Sequence, residues 1–146
     1  TLLENITLGK PNIFDSQIHE IIEVLGLTDF IANTESGYNT MLMPEGKNLP
    51  KSIRLKIMLA RSLAGDPKLI LVGDNFNHLG RKNKQQFINY LLAPDKTATV
   101  LAVSNDPEIA KHFDQVLVLE RGKVIGNDTL NALKSKAWFN QIFQTK

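Results

Sequence analysis

Residues 48–74 read NLPKSIRLKIMLARSLAGDPKLILVGD, and the hydrophobic period of the chain changes halfway along them. Ile53, Ile57, Met58, Ala60 and Leu63 recur at helical spacing behind Pro50, a residue suited to the first turn of a helix. Gly65-Asp66-Pro67 stops that helix, and Leu69 to Val72 follows as a short apolar run, the pattern of a strand buried on both faces. Lys51, Arg54 and Arg61 share one face of the helix by its 3.6-residue period. Such a face is either simply solvated or set to touch a phosphate or a partner.

The rest of the chain extends this pattern. Asp15 or Ser16 caps a helix carrying Ile18, Ile21, Ile22 and Leu25, and Gly26 ends it. Thr28 to Ala32 reads as a second short helix, and residues 34–46 are loop-rich, with Gly37, Pro44 and Gly46 as breakers. Thr99 to Val103 and Val116 to Leu119 repeat the apolar strand pattern. A helix from about Lys82 to Leu92 precedes the first, and one opened by Asp106-Pro107-Glu108 precedes the second. Strands alternating with helices predict βαβ units and a parallel sheet. Glu120 to Lys123 turns into a last strand at Val124-Ile125, and two helices, from Asp128 and from Ala137 to Thr145, close the chain.

Composition excludes several functions. The 146 residues, 42% apolar and 22% charged, can bury a real core. A net charge of +2 is too small to call for a nucleic-acid partner. With no cysteine there is no disulfide, thiol catalysis or cysteine-bound zinc, and His19, His78 and His112 show no metal-ligand spacing. No apolar run approaches the ~18 residues of a membrane span, so the piece itself is expected to be soluble. It opens at Thr1 without methionine and is expected to be part of a longer polypeptide.

Several segments in order resemble the ATP-binding domain of ABC exporters. Thr1 to Gly9 resembles the "TIRENIxLG" segment that follows the Q-loop, Gly37-Tyr38-Asn39-Thr40 the "GYDT" motif, and Gly46 to Leu49 the approach to the LSGGQ signature. Arg54 to Leu63 resembles "RQRIALARAL", Asp66-Pro67-Lys68 the "DPK" before Walker B, and Asp114 to Val124 "ADRIIVLDDGRIV". The resemblance implies an α/β P-loop NTPase fold of the RecA-like ABC type. Residues 1–65 would be its helical, signature-bearing subdomain, and residues 66–146 the C-terminal half of the core, a parallel-sheet half lacking the Walker A strand. That strand would lie between 99–103 and 116–119. Without it the gap would be closed by dimerisation, strand exchange or direct pairing of the flanking strands.

The chemistry-bearing positions depart from the family. No glycine heads a Walker A pattern, G-x-x-x-x-G-K-S/T, whose amides and lysine cradle phosphates. By resemblance the signature falls on Leu49, Pro50, Lys51, Ser52 and Ile53, which would face nucleotide bound to a second subunit. Proline removes one amide donor there, and lysine adds bulk. The Mg-associated aspartate falls on Gly73 and the catalytic glutamate on Asp74, one methylene shorter. The switch histidine falls on Ser104, which cannot change charge near neutral pH, and the D-loop aspartate on Gly80.

What the resemblance implies is a nucleotide-binding domain portion of a membrane transporter, with ATP and Mg2+ as cofactors of the intact parent and none for this piece. Its partners would be the transmembrane domain and a second nucleotide-binding domain, identical or not, at the cytoplasmic face of the cell membrane. The altered positions point to a hydrolytically degenerate site. Two other readings stay open: an assembly module that no longer binds nucleotide, and a working ATPase with Asp74 as base.

Overall fold

The computed structural model describes residues 1–13, 15–73 and 79–143. They cluster into two units, Thr1–Leu101 and Ala102–Lys146.

The first unit begins with α1 (Leu2–Thr7), closed by a capping box in which Thr1 Oγ1 accepts from the Glu4 amide and the Glu4 carboxylate takes the Thr1 ammonium at 2.6 Å. Leu2 and Ile6 point inward and are fully buried. In α2 (Asp15–Val24), Ile18, Ile21 and Ile22 are buried as their spacing predicts, and Gly26 ends the segment at φ +62°. The Gly26 carbonyl accepts from Lys56 Nζ at 3.0 Å, and burial holds the Lys56 pKa below its usual value. α3 (Thr28–Ala32) follows, and 3₁₀ turns at Gly37–Asn39 and Pro44–Gly46 lead into α4 (Lys51–Leu63). α4 buries Ile57, Ala60 and Leu63 and packs against α1 and α2. Two left-handed residues, Gly65 (φ +87°) and Asp66 (φ +49°), turn the chain into β1 (Leu69–Val72).

β1 pairs with β2 (Thr99–Ala102) in a two-stranded parallel sheet, with α5 (Arg81–Leu91) in the crossover. The expectation that these strands are covered on both faces is corrected. Ile70 and Val72 are buried, but Leu69 (56% exposed), Leu71 (67%) and Leu101 (60%) stand in solvent. Apolar residues on both faces call for two covering layers, and the described residues of this unit supply one.

In the second unit, α6 (Pro107–Ala110) is capped by Asp106, whose carboxylate accepts from the Glu108 amide at 2.9 Å. β3 (Val116–Glu120) and β4 (Lys123–Asp128) form an antiparallel hairpin with a register shift between Val118 and Leu119. Arg121 (φ +46°) and Gly122 (φ +76°) both take the left-handed conformation that a tight hairpin turn demands. The third strand therefore folds back on its neighbour in a separate sheet. Among the described residues no single parallel sheet runs through all three predicted strands. α7 (Leu130–Leu133), capped by Thr129, and α8 (Phe139–Phe143) lay Leu130, Leu133, Phe139 and Phe143 against Val118. The predicted end of the last helix at Thr145 lies outside the described residues.

Gly126 on β4 shows how tight this small core is. A Cβ there would stand 2.8 Å from the Trp138 ring and 3.0 Å from Leu133. Gly126→Ala is expected to cost about 1–2 kcal/mol, in the lower half of the overpacking range. Thermal denaturation followed by Trp138 fluorescence reads it.

Candidate functional site

The positions that the resemblance singles out at the signature lie at the start of α4. Pro50 (φ −54°, ψ 145°) is the residue before the first helical turn. It offers no side-chain cap, and the first turn holds no acid and carries the cation Lys51. The first-turn amides are therefore bare, with a cation beside them.

The preceding loop folds back along the helix. Glu45 (φ +60°) and Gly46 (φ +63°) are consecutive left-handed residues, and Met43 N donates to Asn48 Oδ1 at 3.2 Å. A Cβ at Gly46 would lie 2.9 Å from Arg54 Cδ, so glycine is what lets the loop lie this close to the arginine stem. Arg54 Nη1 donates to the Glu45 carbonyl at 3.4 Å. Between loop, helix and α1 runs a groove of about 1070 Å³. Leu42, Met43, Leu49, Leu55, Ile57 and Met58 supply its apolar lining, and Lys51, Ser52, Arg54 and Arg61 its polar edge from α4. The basic face predicted from helical period is thus real: all three of its cations line one groove. Arg61 is already committed, donating from Nε to the Asn5 carbonyl at 2.7 Å and from Nη2 to Asn5 Oδ1 at 3.1 Å.

The other positions are placed separately. Gly73 is exposed just after β1, and Asp74 lies outside the described residues, as does His78. Gly80 is the exposed residue before α5 at φ −51°, with open space where a Cβ would stand, so neither backbone nor packing demands glycine there. Ser104, in the second unit, accepts on Oγ from the Asp106 amide at 3.1 Å, an arrangement that opens α6. Of the signature positions, Leu49, Lys51 and Ser52 line the groove, while Pro50 and Ile53 flank them. Among the described residues no cluster of histidines and acids could hold a metal ion.

Asn5 and Met43 carry no sequence signal for the site, and the grouping of Met58 with the apolar row of α4 is corrected: it stands 61% exposed on the face of Lys51, Arg54 and Arg61. The Asn5–Arg61 contact spans 56 residues and has no local signal.

The fold matches that of a bacterial Atm1-family ABC exporter with ATP bound, at TM-score 0.83 over 99% of this chain and 26% of that one, with 20% identity. The chain is homologous over most of its length to ABC exporter ATP-binding/permease proteins. It is 25% identical over 125 residues to the alpha-hemolysin translocation ATP-binding protein HlyB of Escherichia coli, covering 86% of this chain and 18% of that protein. It is 28% identical over 124 residues to the mitochondrial potassium channel ATP-binding subunit of Xenopus tropicalis (85% and 18%). With the multidrug resistance protein homolog 65 of Drosophila melanogaster the identity is 27% over 145 residues (97% and 11%). The chain thus spans less than a fifth of the length of these three relatives. No family model matches. No helix among the described residues is long and apolar enough to cross a membrane.

Proposed function

We propose that this chain is the C-terminal portion of an exporter-type ABC nucleotide-binding domain whose hydrolytic chemistry is degenerate. Residues 1–65 serve as the helical signature subdomain and residues 66–146 as the second half of a RecA-like P-loop NTPase core. In a longer polypeptide it couples ATP binding to transport at the cytoplasmic face of the membrane. Its partners there are a transmembrane domain and a second nucleotide-binding domain. ATP and Mg2+ are held chiefly by residues that this chain does not contain.

The start of α4 carries the reading. A helix N-terminus with bare amides is the device that meets phosphate oxygens. Here it opens on Pro50-Lys51-Ser52, which removes one donor and places a side chain where the family has glycine. Gly73 has no carboxylate for a metal-bound water, and Ser104 cannot carry a charge near neutral pH. Asp74 can replace one acid of the pair but not both. A base displaced by about an ångström loses on the order of 10²-fold in rate. The assembly reading, without nucleotide, is favoured by one observation: the signature positions border a groove where apolar side chains such as Leu42, Met43 and Met58 stand beside the cations of α4.

The test is ATP binding and phosphate release on a polypeptide that carries this chain behind a Walker A loop. Micromolar, Mg-dependent binding with turnover near background is the expected result, and no binding would favour the assembly reading. In that protein Asp74→Glu is expected to raise kcat by less than about tenfold, because Gly73, Ser104 and the altered signature act with it as a unit. A larger gain would show that Asp74 alone limits the reaction.

A further inference from the structure

We propose that Gly26 is a joint that passes the position of α4 to the start of α5, with Lys56 and Asn83 as the positioning residues on its two sides. α2 ends in a Schellman turn: the Gly26 amide donates to the Glu23 carbonyl at 2.9 Å, and the Leu27 amide to the Ile22 carbonyl at 2.9 Å. That turn leaves the Val24 and Gly26 carbonyls to side chains of other helices. Lys56 Nζ, from α4, donates to the Gly26 carbonyl at 3.0 Å. Asn83 Nδ2, from the first turn of α5, donates to the Val24 carbonyl at 3.5 Å. The negative end of the α2 dipole favours the lysine there.

Gly26 is what brings the two helices to one point. It takes the left-handed turn at φ +62°, and a Cβ there would stand 2.9 Å from Asn83 Cγ and closer still to Nδ2. The asparagine amide fills the space that a side chain would need. Lys56 is a cation on the inward side of its helix, half-buried and at i, i+4, i+7 spacing with the buried Ala60 and Leu63. A cation placed there loses hydration, and the Gly26 carbonyl restores a partner. None of the three residues lines the groove at the start of α4. The use of the joint rests on the proposed function. It holds Gly80, just before α5, at a fixed offset from Pro50-Lys51-Ser52, at the head of the helix that carries Lys56.

Amide hydrogen exchange of the full chain, without nucleotide, tests this. Lys56→Met keeps most of the stem and removes the donor. It is expected to quicken exchange at least about fivefold at the start of α5, where the Lys84 amide donates to the Gly80 carbonyl. The Leu8 amide, at the end of α1, keeps its rate. Asn83→Ala is expected to act likewise on α5, and the double variant to go no further than the larger single change, because both act through one residue. Gly26→Ala quickens the same amides, and adding Asn83→Ala slows them again: the lost side chain makes room for the Cβ while the left-handed strain stays. An unchanged α5 in Lys56→Met, multiplying effects of Lys56→Met and Asn83→Ala, no recovery in the Gly26 pair, or equal quickening at Leu8 would overturn the proposal. No nucleotide enters, so the joint and the proposed function fail separately.

Discussion

Phe87→Ala is expected to lower the free energy of unfolding by about 3–5 kcal/mol, the range for truncating a buried aromatic. Phe87 is 1% exposed and is the largest fully buried side chain among the described residues. It sits on α5, whose 11 residues are too few to hold a helix in water by propensity alone. What holds α5 is the inward row Phe87, Ile88 and Leu91, and the alanine variant leaves a cavity at the head of that row. Against the about 5–15 kcal/mol typical of a domain, the loss is a large fraction of total stability. Urea denaturation followed by circular dichroism reads it as a fall in midpoint at unchanged slope. Leu71→Ala is the control: Leu71 is just as apolar but stands in solvent, and its truncation is expected to stay within about 0.5 kcal/mol. Equal losses at the two positions would mean that the exposed sheet face is covered in solution.

The contrast between Phe87 and Leu71 also marks where sequence reasoning held and where it failed. Helical period gives the inward row of α2 residue by residue and most of that of α4, because a helix buries one stripe and the stripe is written in the spacing, but Met58, grouped with that row, stands 61% exposed. The strands were located to within a few residues, but their surroundings were misread. Leu69-Ile-Leu-Val72 has the pattern of a strand covered on both faces, and the described residues of its unit cover one. A continuous apolar run states what a strand needs, not what the chain provides. The hairpin of β3 and β4 was half legible. Glu120 to Lys123 reads as a turn into a last strand, but the alternation of strands and helices places β3 in one parallel sheet with β1 and β2, and it pairs with β4 instead. The short helix α1 went unread although its Thr1-x-x-Glu4 capping box is a sequence signal. At the candidate site, the basic face of α4 was legible and its apolar partner wall was not. That wall depends on Glu45 and Gly46 turning left-handed together, a choice that no periodicity encodes.

Arg61→Met is expected to loosen α1 and the groove together. Arg61 gives two hydrogen bonds to Asn5, one to its carbonyl at 2.7 Å and one to its side-chain oxygen at 3.1 Å. Asn5 is oriented to receive them, because its Nδ2 donates to the Thr1 carbonyl at 2.8 Å. Methionine keeps most of the arginine stem and removes every donor, so the change reports on the hydrogen bonds rather than on packing. Bonds from a charged donor contribute about 1.5–3 kcal/mol, and α1, at six residues, cannot persist without tertiary support. Its amides are expected to exchange hydrogen about 10- to 100-fold faster, each 1.4 kcal/mol being tenfold, while those in the middle of α4 keep their protection. Arg61→Lys retains the charge but not the paired donor geometry and should fall between the two. Unchanged exchange in α1 across the three side chains would mean that packing, and not these hydrogen bonds, holds the helix.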